Sequence, residues 1–352
     1  MPRMMKHLML MLVAVLVSAC TSLPTVSPVP QHYVVDGSES RTFQTSDNLT
    51  LFGQWWHPAS GKPARGVVLL VHGTLVHSGF YAPWAKELAR NGYAVFGIDL
   101  RGWGQSQGHG RRGFVRNYDE YVADVRLAWA EVRRRYPDTP VFLQGESLGG
   151  GVVLLAQQQN AFDAKGLILN APAIKPNPGI GIFRGTRLAF WAASLPGHVM
   201  PNAPALPAKV LESGISLILR DEDAQKHFKT DPHSTHTALP YAYVTALYEA
   251  TGRIKGRLDR VDEPLIILHG TSDVMVPHTS SRWALRRVAS KDKTLKVYEG
   301  MTHATLHDKD KRLVWLDILD WLDARTVEPK VAPTAVKSTG KPVPSPLSEE
   351  IL

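Results

Sequence analysis

A serine between two glycines, at the junction of an apolar run and a helix-forming segment, most constrains the fold of this chain. Residues 145–149 read G-E-S-L-G; the apolar residues 141–143 precede them and the apolar residues 152–156 follow. Glycines on both sides permit a sharp strand-to-helix turn, because a residue without Cβ tolerates strained backbone and close packing. This context predicts a nucleophile elbow that presents Ser147. The bare pentapeptide is weak in a chain with 28 glycines, and a bystander serine is the alternative.

An activated serine needs partners, and two downstream segments supply candidates. Because a serine hydroxyl is a poor nucleophile at neutral pH, it requires a histidine base and a carboxylate that orients the base. Asp273 comes shortly after the apolar run 265–268, and His303 follows the next run, 295–298. Serine, acid and histidine in this order are typical of α/β-hydrolases. We therefore predict a triad of Ser147, Asp273 and His303.

Two alternatives apply to these residues. Asp273 lies in T-S-D, which is also a common turn sequence. His303 and His307 have the spacing of a zinc-binding pair on a helix, but H-A-T-L-H lacks the glutamate of H-E-x-x-H. We predict no metal site and no organic cofactor.

A second glycine turn supplies candidate donors for an oxyanion. The apolar run 67–71, typical of a strand buried on both faces, ends in a histidine and a glycine. A tetrahedral oxyanion needs hydrogen-bond donors, and a backbone amide beside a glycine can turn toward it. We predict that the amides of Thr74 and Leu148 form the oxyanion hole. His72 is interpreted as structural, packing under the turn.

Three further motifs are spaced along the chain. Residues 72–81 read H-G-T-L-V-H-S-G-F-Y, residues 99–108 read D-L-R-G-W-G-Q-S-Q-G, and residues 230–232 read T-D-P. Together with the elbow they resemble the monoacylglycerol lipase and lysophospholipase branch of the α/β-hydrolases, over about residues 41–324. Several spaced motifs are far more specific than one.

The resemblance implies the same site residues as the reasoning above: Ser147 as nucleophile, His303 as base, Asp273 as orienting acid, and the amides of Thr74 and Leu148 as oxyanion hole. Glu146 departs from the branch, which often has histidine at this position. Because the nucleophile is a serine and not an aspartate, dehalogenase and epoxide hydrolase chemistry are disfavoured.

Strand-like apolar runs alternate with helical patterns along most of the chain. Strands are predicted at 67–71, 94–98, 141–143, 167–169, 265–268 and 295–298, and helices at 84–91, 119–135, 148–159, 281–290 and 313–322. This alternation predicts an α/β fold, a mostly parallel central sheet with helices on both faces. The resemblance implies that this fold is of the α/β-hydrolase type. Residues 41–56, with a turn at Asp47 and Asn48, predict an antiparallel hairpin at the sheet edge.

The alternation stops between residues 169 and 265, where prolines and glycines open an insertion. We predict a catalytic core of residues 33–170 and 263–325, and a helical lid of residues 171–262. Phe183, Phe190 and Trp191 make the lid apolar enough to line an acyl pocket. The alternative is that they only pack the lid onto the core.

The N-terminus has the pattern of an export signal, with Arg3 and Lys6 before an apolar stretch at residues 8–17. The sequence V-S-A-C at residues 17–20 resembles the lipobox of bacterial lipoproteins. We therefore predict a signal peptide at residues 1–19, lipidation of Cys20, and a tether at residues 20–32. An ordinary cleaved signal or an apolar anchor is the alternative. Thr21 after the cysteine implies, by the same resemblance, sorting to the outer membrane in a Gram-negative host.

Composition limits the remaining classes. Cys20 is the only cysteine, so the fold contains no internal disulfide. Residues 326–352 are rich in proline and lysine without periodicity, and predict a disordered tail. The net charge of +8 suits an anionic lipid surface, although a solvated basic face is the plain alternative. Nucleic-acid binding is not expected, because the basic residues are scattered.

The sequence therefore predicts a lipid-anchored serine ester hydrolase of the bacterial envelope, which cleaves monoacylglycerol-like or lysophospholipid-like esters through an acyl-enzyme. Two alternatives stay open. The same triad could cleave an N-terminal peptide or a small soluble ester, and Asp221, Glu222 and Asp223 could bind the amine of a peptide. The chain could also be an inactive envelope protein that binds lipid or a partner.

Overall fold

The computed structural model describes residues 34–35, 37–59, 63–176 and 187–326, with side chains from residue 191 onward in the last range. The predicted signal peptide, Cys20, the tether and residues 327–352 lie outside the described residues. So do Phe183 and the side chain of Phe190. Within the described ranges, no helix is long and apolar enough to cross a membrane.

A central sheet organises the described part of the chain, which contains these strands: β1 Glu39–Gln44, β2 Thr50–Trp56, β3 Gly66–Val71, β4 Tyr93–Asp99, β5 Val141–Glu146, β6 Gly166–Asn170, β7 Pro204–Leu206, β8 Leu239–Pro240, β9 Leu265–Gly270 and β10 Lys293–Tyr298. Eight of them form one sheet in the order β1-β2-β4-β3-β5-β6-β9-β10, and β7 pairs with β8. Strand β2 runs antiparallel to β1 and β4. The other neighbours in the large sheet are parallel.

Helices connect the parallel strands, and the described residues contain these: α1 Ala82–Arg90, α2 Tyr118–Arg135, α3 Leu148–Gln157, α4 Arg187–Ser194, α5 Ala208–Ile218, α6 Glu222–Thr230, α7 Tyr241–Gly256, α8 His278–Leu285 and α9 Lys311–Asp323. The predicted α/β class is confirmed. The predicted edge hairpin is also present as β1 and β2, with Asn48 at a positive φ of 62° in the turn.

One predicted helix is displaced. The pattern predicted residues 281–290, whereas α8 spans His278–Leu285. The helix begins directly after Pro277, which is its N-cap and has an extended backbone with φ −59° and ψ 133°. Periodicity alone did not locate this start.

The middle of the sheet is buried and mostly apolar. The side chains of β3 are buried along its whole length, as are those of β4 and β5. Central parallel strands are covered on both faces, which explains their continuous apolar runs. Because parallel strands end at one edge, the loops after β3, β5, β9 and β10 meet there.

The motif at residues 99–108 is structural. Asp99 Oδ1 accepts hydrogen bonds from the Ser78 amide at 2.8 Å and from the Ser78 hydroxyl at 2.5 Å. The buried Arg101 forms an ion pair with Asp124 at 2.6 Å. The motif thereby joins the end of β4 to the turn before α1 and to α2.

Between β6 and β9 the chain leaves the large sheet and forms α4 to α7 with β7 and β8. Gln158, just after α3, donates to the Ile254 carbonyl of α7 at 2.9 Å, which attaches this region to the core. The Thr235 amide donates to the Leu75 carbonyl at 2.7 Å, joining the loop after α6 to the loop after β3. The extent of the lid as a separate unit, residues 171–262, stays a prediction.

Candidate active site

Ser147 lies in a strained turn between β5 and α3. Its backbone has φ 51° and ψ −110°, a left-handed conformation that a residue with a side chain rarely adopts. A Cβ on Gly149 would collide with the Val71 carbonyl, and one on Gly145 would collide with the Gly149 carbonyl. Both flanking glycines are therefore required by close backbone packing. The turn holds Ser147 half-exposed at the carboxyl edge of the sheet.

Asp273 is held as a charged carboxylate in the turn after β9. Its Oδ1 accepts from the amides of Met275 at 2.8 Å and Val276 at 2.9 Å. Its Oδ2 accepts from His303 at 2.7 Å and from His269 at 2.9 Å. Burial alone would raise the pKa of Asp273, but its interactions with the two histidines outweigh burial and hold the pKa well below the usual range.

His303 lies in the loop after β10 and is oriented by Asp273. Its Nδ1 donates to Asp273 Oδ2, which leaves Nε2 as the nitrogen that can act as a base. Burial alone would lower the pKa of His303; the carboxylates of Asp273 and, to a smaller degree, Glu146 outweigh it, and the pKa is raised. Between the described side chains of Ser147 and His303 the structure records no hydrogen bond. Such bonds in unliganded sites often form only when substrate binds.

The two predicted oxyanion donors lie in the loop after β3 and at the start of α3. Leu148 is the first residue of α3, so its amide has no acceptor within the helix. Thr74 follows Gly73, whose carbonyl accepts from His72 Nδ1 at 2.7 Å. In a planar trans peptide the N–H points opposite to the C=O, so this bond also orients the Thr74 amide. His72 thus holds the Gly73 carbonyl, and burial lowers its pKa to about 4, which keeps it neutral.

His269 was given no role by the sequence reasoning, yet it contacts Asp273 directly. Its Nε2 lies 2.9 Å from Asp273 Oδ2 and 2.8 Å from the Val276 carbonyl, while Nδ1 lies 2.7 Å from the Ser281 hydroxyl. The signal in the sequence was its position at the end of β9, four residues before Asp273. We interpret His269 as a residue that fixes the carboxylate.

His307, the second histidine of H-A-T-L-H, is part of an aromatic cluster. Its ring centroid lies 4.7 Å from those of Phe80 and Tyr81. Burial lowers the pKa of His307 to about 3, so it is neutral. Among the described residues, no group of three or more histidine, cysteine or carboxylate side chains is arranged to hold a metal ion.

A second buried histidine–carboxylate pair joins the loop after β3 to the loop after α6. His77 Nε2 lies 2.7 Å from Asp231 Oδ2, and Ser234 donates to the same oxygen at 2.8 Å. Burial alone would raise the pKa of Asp231, but these bonds outweigh it and hold the pKa well below the usual range. The T-D-P motif thus provides an anchor between the predicted lid and the core.

A cavity of about 220 Å³ lies beside Ser147. Ser147, His303, Thr74 and Leu148 all contribute to its lining. Most of its remaining wall is apolar and comes from the chain between β6 and β9: Leu206, Val210, Leu211, Ile215, Leu217, Ile218, Leu219, Phe228, Leu239, Tyr243 and Leu247. The structure thus brings the predicted nucleophile, base and oxyanion donors to one apolar pocket.

Of the three lid residues predicted to line an acyl pocket, only Trp191 has a described side chain. Trp191 is not among the described lining residues, and it is 44% exposed. Leu195 and Val199, which follow it along the chain, are also exposed, at 42% and 56%. The side chains of Trp191, Leu195 and Val199 thus turn to the surface, and for Trp191 this differs from the predicted place in the cavity wall. Helix α5 and the segments after it supply the wall instead.

A larger cavity of about 660 Å³ lies elsewhere, between the β1–β2 turn and the segments before and within α7. Asp47, His109, Asn202 and Glu249 contribute to its partly polar wall. None of the predicted triad residues lines it. We place the candidate active site in the smaller cavity, although this one is larger, because Ser147 and His303 line the smaller cavity.

The match to known families is consistent with this geometry. The model of the family described as serine aminopeptidase, S33, matches residues 62–310. The chain belongs to this family of α/β-hydrolases. The predicted resemblance and the predicted class, a hydrolase of the α/β-hydrolase fold, are thereby confirmed.

Relatives of this S33 family member include two lipases. A monoacylglycerol lipase of Mycolicibacterium smegmatis is 30% identical over 267 residues, which cover 76% of this chain and 90% of the relative. The human monoglyceride lipase is 29% identical over 284 residues, covering 80% and 89%. A soluble variant of monoglyceride lipase from Saccharomyces cerevisiae, solved with a substrate analog, has the same fold, with a TM-score of 0.72 at 23% identity over 86% of this chain and all of that one.

Proposed function

We propose that this S33 family member is a serine ester hydrolase that cleaves monoacylglycerol-type or lysophospholipid-type esters. The observation that carries the proposal is the meeting of Ser147, at a strained elbow, with an Asp273-oriented His303 in one apolar cavity. The names of the relatives support esters of glycerol as substrates.

The first half of the reaction forms an acyl-enzyme. His303 Nε2 takes the proton of the Ser147 hydroxyl as the oxygen attacks the ester carbonyl. The amides of Thr74 and Leu148 donate to the carbonyl oxygen, which becomes an oxyanion in the tetrahedral intermediate. When the intermediate collapses, the bond to the alcohol breaks and His303 gives its proton to the leaving oxygen.

The second half releases the acid. Water loses a proton to His303 Nε2 and attacks the acyl carbonyl, and the same two amides stabilise the second oxyanion. Collapse of this intermediate returns the proton to Ser147 and frees the carboxylic acid. Throughout, the charge of Asp273 stabilises the protonated His303 and holds its Nδ1–H.

The apolar wall favours an acyl chain over a peptide. Asp221, the first member of the acidic cluster proposed to bind an amine, caps α6 by accepting from the Ala224 amide at 3.0 Å. It also accepts from Lys311 at 2.6 Å. Asp221, Glu222 and Asp223 are not among the described residues that line the cavity. The peptidase alternative therefore loses the acidic cluster that was proposed to bind the amine.

The envelope location is a further part of the proposal. The lipobox-like sequence ending at Cys20 and the net charge of +8 support a lipid-anchored enzyme at a bacterial membrane, the outer membrane in a Gram-negative host. Labelled palmitate supplied to bacteria that express the full chain is expected to enter the native protein and not Cys20→Ser. Equal labelling of the native protein and Cys20→Ser would contradict a lipid anchor at Cys20.

The catalytic part is tested by a fluorophosphonate probe on the purified protein, with Ser147→Ala as control. Labelling of the native chain alone, together with release of fatty acid from long-chain monoacylglycerols, is the expected result. If the folded native protein neither reacts with the probe nor cleaves any ester, the inactive binding protein becomes the better explanation. Cleavage of aminoacyl anilides in preference to esters would instead favour the peptidase.

Chain-length dependence tests the acyl pocket. Ile215→Trp adds bulk to the cavity wall and is expected to reduce activity on long-chain monoacylglycerols more than about tenfold, and on short-chain p-nitrophenyl esters less than about threefold. Trp191→Ala, on the exposed side of the lid, is the matched control and is expected to change neither. Equal losses on both substrates in Ile215→Trp would contradict an acyl chain in this cavity.

A further inference from the structure

Glu146 is a buried acid that the proposed reaction does not use. It is 5% exposed and is the only carboxyl among the described residues that line the cavity. Burial raises its pKa to about 7, although the Tyr81 hydrogen bond acts in the opposite direction. Burial of an ionisable group in an apolar wall costs free energy of desolvation. A carboxyl at this position therefore calls for an explanation.

One partner of Glu146 is the hydroxyl of Tyr81, which donates to Oε2 at 2.5 Å. His307 Nε2 lies farther from the same oxygen, at 3.8 Å. Tyr81 is itself buried, in the turn that precedes α1. A buried tyrosine hydroxyl that donates to a carboxyl has its direction fixed, so its lone pairs also point in a defined direction.

The same hydroxyl accepts a hydrogen bond from the Gly73 amide at 2.9 Å. A continuous series of bonds thus runs from the Gly73 amide to Tyr81 and from Tyr81 to Glu146. Glu146 directly precedes Ser147, and Gly73 directly precedes Thr74. The series therefore joins the loop that carries one oxyanion donor to the turn that carries the nucleophile.

Gly73 needs such an anchor. A glycine can adopt many backbone conformations, and each would aim the following amide differently. Gly73 lies close to both groups, since a Cβ at this position would lie in ordinary contact, 3.7 Å from Ser147 Cβ and 3.4 Å from the Tyr81 oxygen. His72 holds the Gly73 carbonyl, as described above, and Tyr81 holds the Gly73 amide. Both polar groups of the glycine are thereby fixed.

We propose that Tyr81 and Glu146 are positioning residues that hold the loop after β3 where the Thr74 amide reaches the oxyanion. An oxyanion donor must lie about 2.7–3.1 Å from the oxygen as it becomes charged, and a misplacement of about 1 Å costs about a hundredfold in rate. The inference rests on the proposed function, because it assigns these residues to the same ester hydrolysis.

Tyr81→Phe is the main test, because it removes only the oxygen that joins Gly73 to Glu146. We expect kcat to fall about 10- to 100-fold with KM within about twofold of the native value. Affinity for a boronic acid that mimics the tetrahedral intermediate falls by a similar factor, whereas affinity for a non-reactive substrate-like ether does not change. A purely structural role for the hydroxyl would not produce this difference between the two ligands.

Tyr93→Phe is the matched control. The Tyr93 hydroxyl is also buried against a carboxyl, donating to Asp323 at 2.6 Å, but Tyr93 begins β4, away from the carboxyl edge. We expect a lower Tm and an unchanged kcat. Glu146→Gln, which keeps an acceptor for Tyr81, is expected to lose about 3- to 10-fold in kcat and serves as the test if Tyr81→Phe does not fold.

The result that overturns the inference is a folded Tyr81→Phe or Glu146→Gln whose kcat lies within about twofold of native, as in Tyr93→Phe. Failure of the proposed function has a different signature. In that case the native protein itself, assayed beside Ser147→Ala, shows no ester hydrolysis, and the comparison among the variants has no activity to measure.

Discussion

Two buried histidine–aspartate pairs in this molecule have nearly the same geometry and different consequences. His303 and Asp273 are joined at 2.7 Å, and so are His77 and Asp231. The four residues are all buried, with exposures of 6%, 8%, 2% and 8%. Neither distance nor burial tells the pairs apart.

The two pairs differ in the histidine nitrogen that does not bond to the aspartate. His303 uses Nδ1 for Asp273 and keeps Nε2 on the side of the Ser147 cavity. His77 uses Nε2 for Asp231, and its Nδ1 accepts from the Gly79 amide at 3.2 Å. A histidine whose two nitrogens are both engaged cannot take a proton from a substrate. The first pair is therefore suited to catalysis and the second to holding the loop after α6 against the loop after β3.

Replacing each aspartate by asparagine gives the largest expected contrast. In Asp273→Asn the charge that stabilises protonated His303 is lost, and kcat/KM for esters is expected to fall about 10³- to 10⁴-fold. In Asp231→Asn the loss is expected to stay below about tenfold, since this residue does not face the cavity. Comparable losses in both variants would show that the two pairs do not differ as described.

Asp231→Asn is expected to affect the stability of the protein more than its activity. Asp231→Asn should lower the free energy of unfolding by about 1–3 kcal/mol, because it weakens buried hydrogen bonds from His77 and Ser234. Urea denaturation measures this, and hydrogen exchange at residues 230–236 should increase.

The sign of the pH dependence follows from the lowered pKa of Asp231. A carboxylate with a lowered pKa in the folded state contributes stability above its unfolded pKa of about 3.8, and this contribution is lost as the pH falls further. The difference between native and Asp231→Asn should therefore shrink below about pH 4. A difference that grows on acidification would contradict the assignment of a charged Asp231.

Asp273 bonds to a second histidine, His269, and replacing this histidine is expected to have a smaller effect on kcat. His269→Gln removes the second ring that holds the Asp273 carboxylate, and kcat is expected to fall about tenfold with little change in KM. His236→Gln is the control, because His236 lies beside Asp231 and bonds only to its backbone carbonyl, at 3.0 Å. If both substitutions leave kcat unchanged, His269 has no part in orienting the triad.

The smallest expected effect is a displacement of the pH profile. His303 must be neutral to act as a base, so activity is lost as the pH falls through its pKa. Because that pKa is raised, the midpoint of the acid limb of kcat/KM should lie above the ordinary value of about 6.5. Residual activity in Asp273→Asn should have a lower midpoint, since burial then acts without the carboxylate. A native midpoint below about pH 6 would contradict the raised pKa.

Most of the fold could be predicted because its signals are local. The apolar runs that form β3, β4 and β5 are continuous in the sequence, and the glycines around Ser147 mark the strained turn without reference to any other segment. The start of α8 was missed because a proline, and not the apolar period, determines it.

The site was predictable only in part. The order of Ser147, Asp273 and His303 could be read from positions after successive strands, because the carboxyl ends of parallel strands converge. The wall of the cavity could not, since Ile215 and Trp191 are both apolar residues between β6 and β9, and only packing decides which one turns inward.

The sequence by itself determined the strand-to-helix turn, the alternation of elements and the candidate triad, because backbone sterics and hydrophobic periodicity act over a few residues. The tertiary structure alone decided which histidine keeps a free nitrogen and which acid has which partner. His77 and Asp231 are 154 positions apart, and Tyr81 and Glu146 are 65 apart. Contacts of that separation depend on how the loops after different strands pack together, and no local pattern in the chain records them.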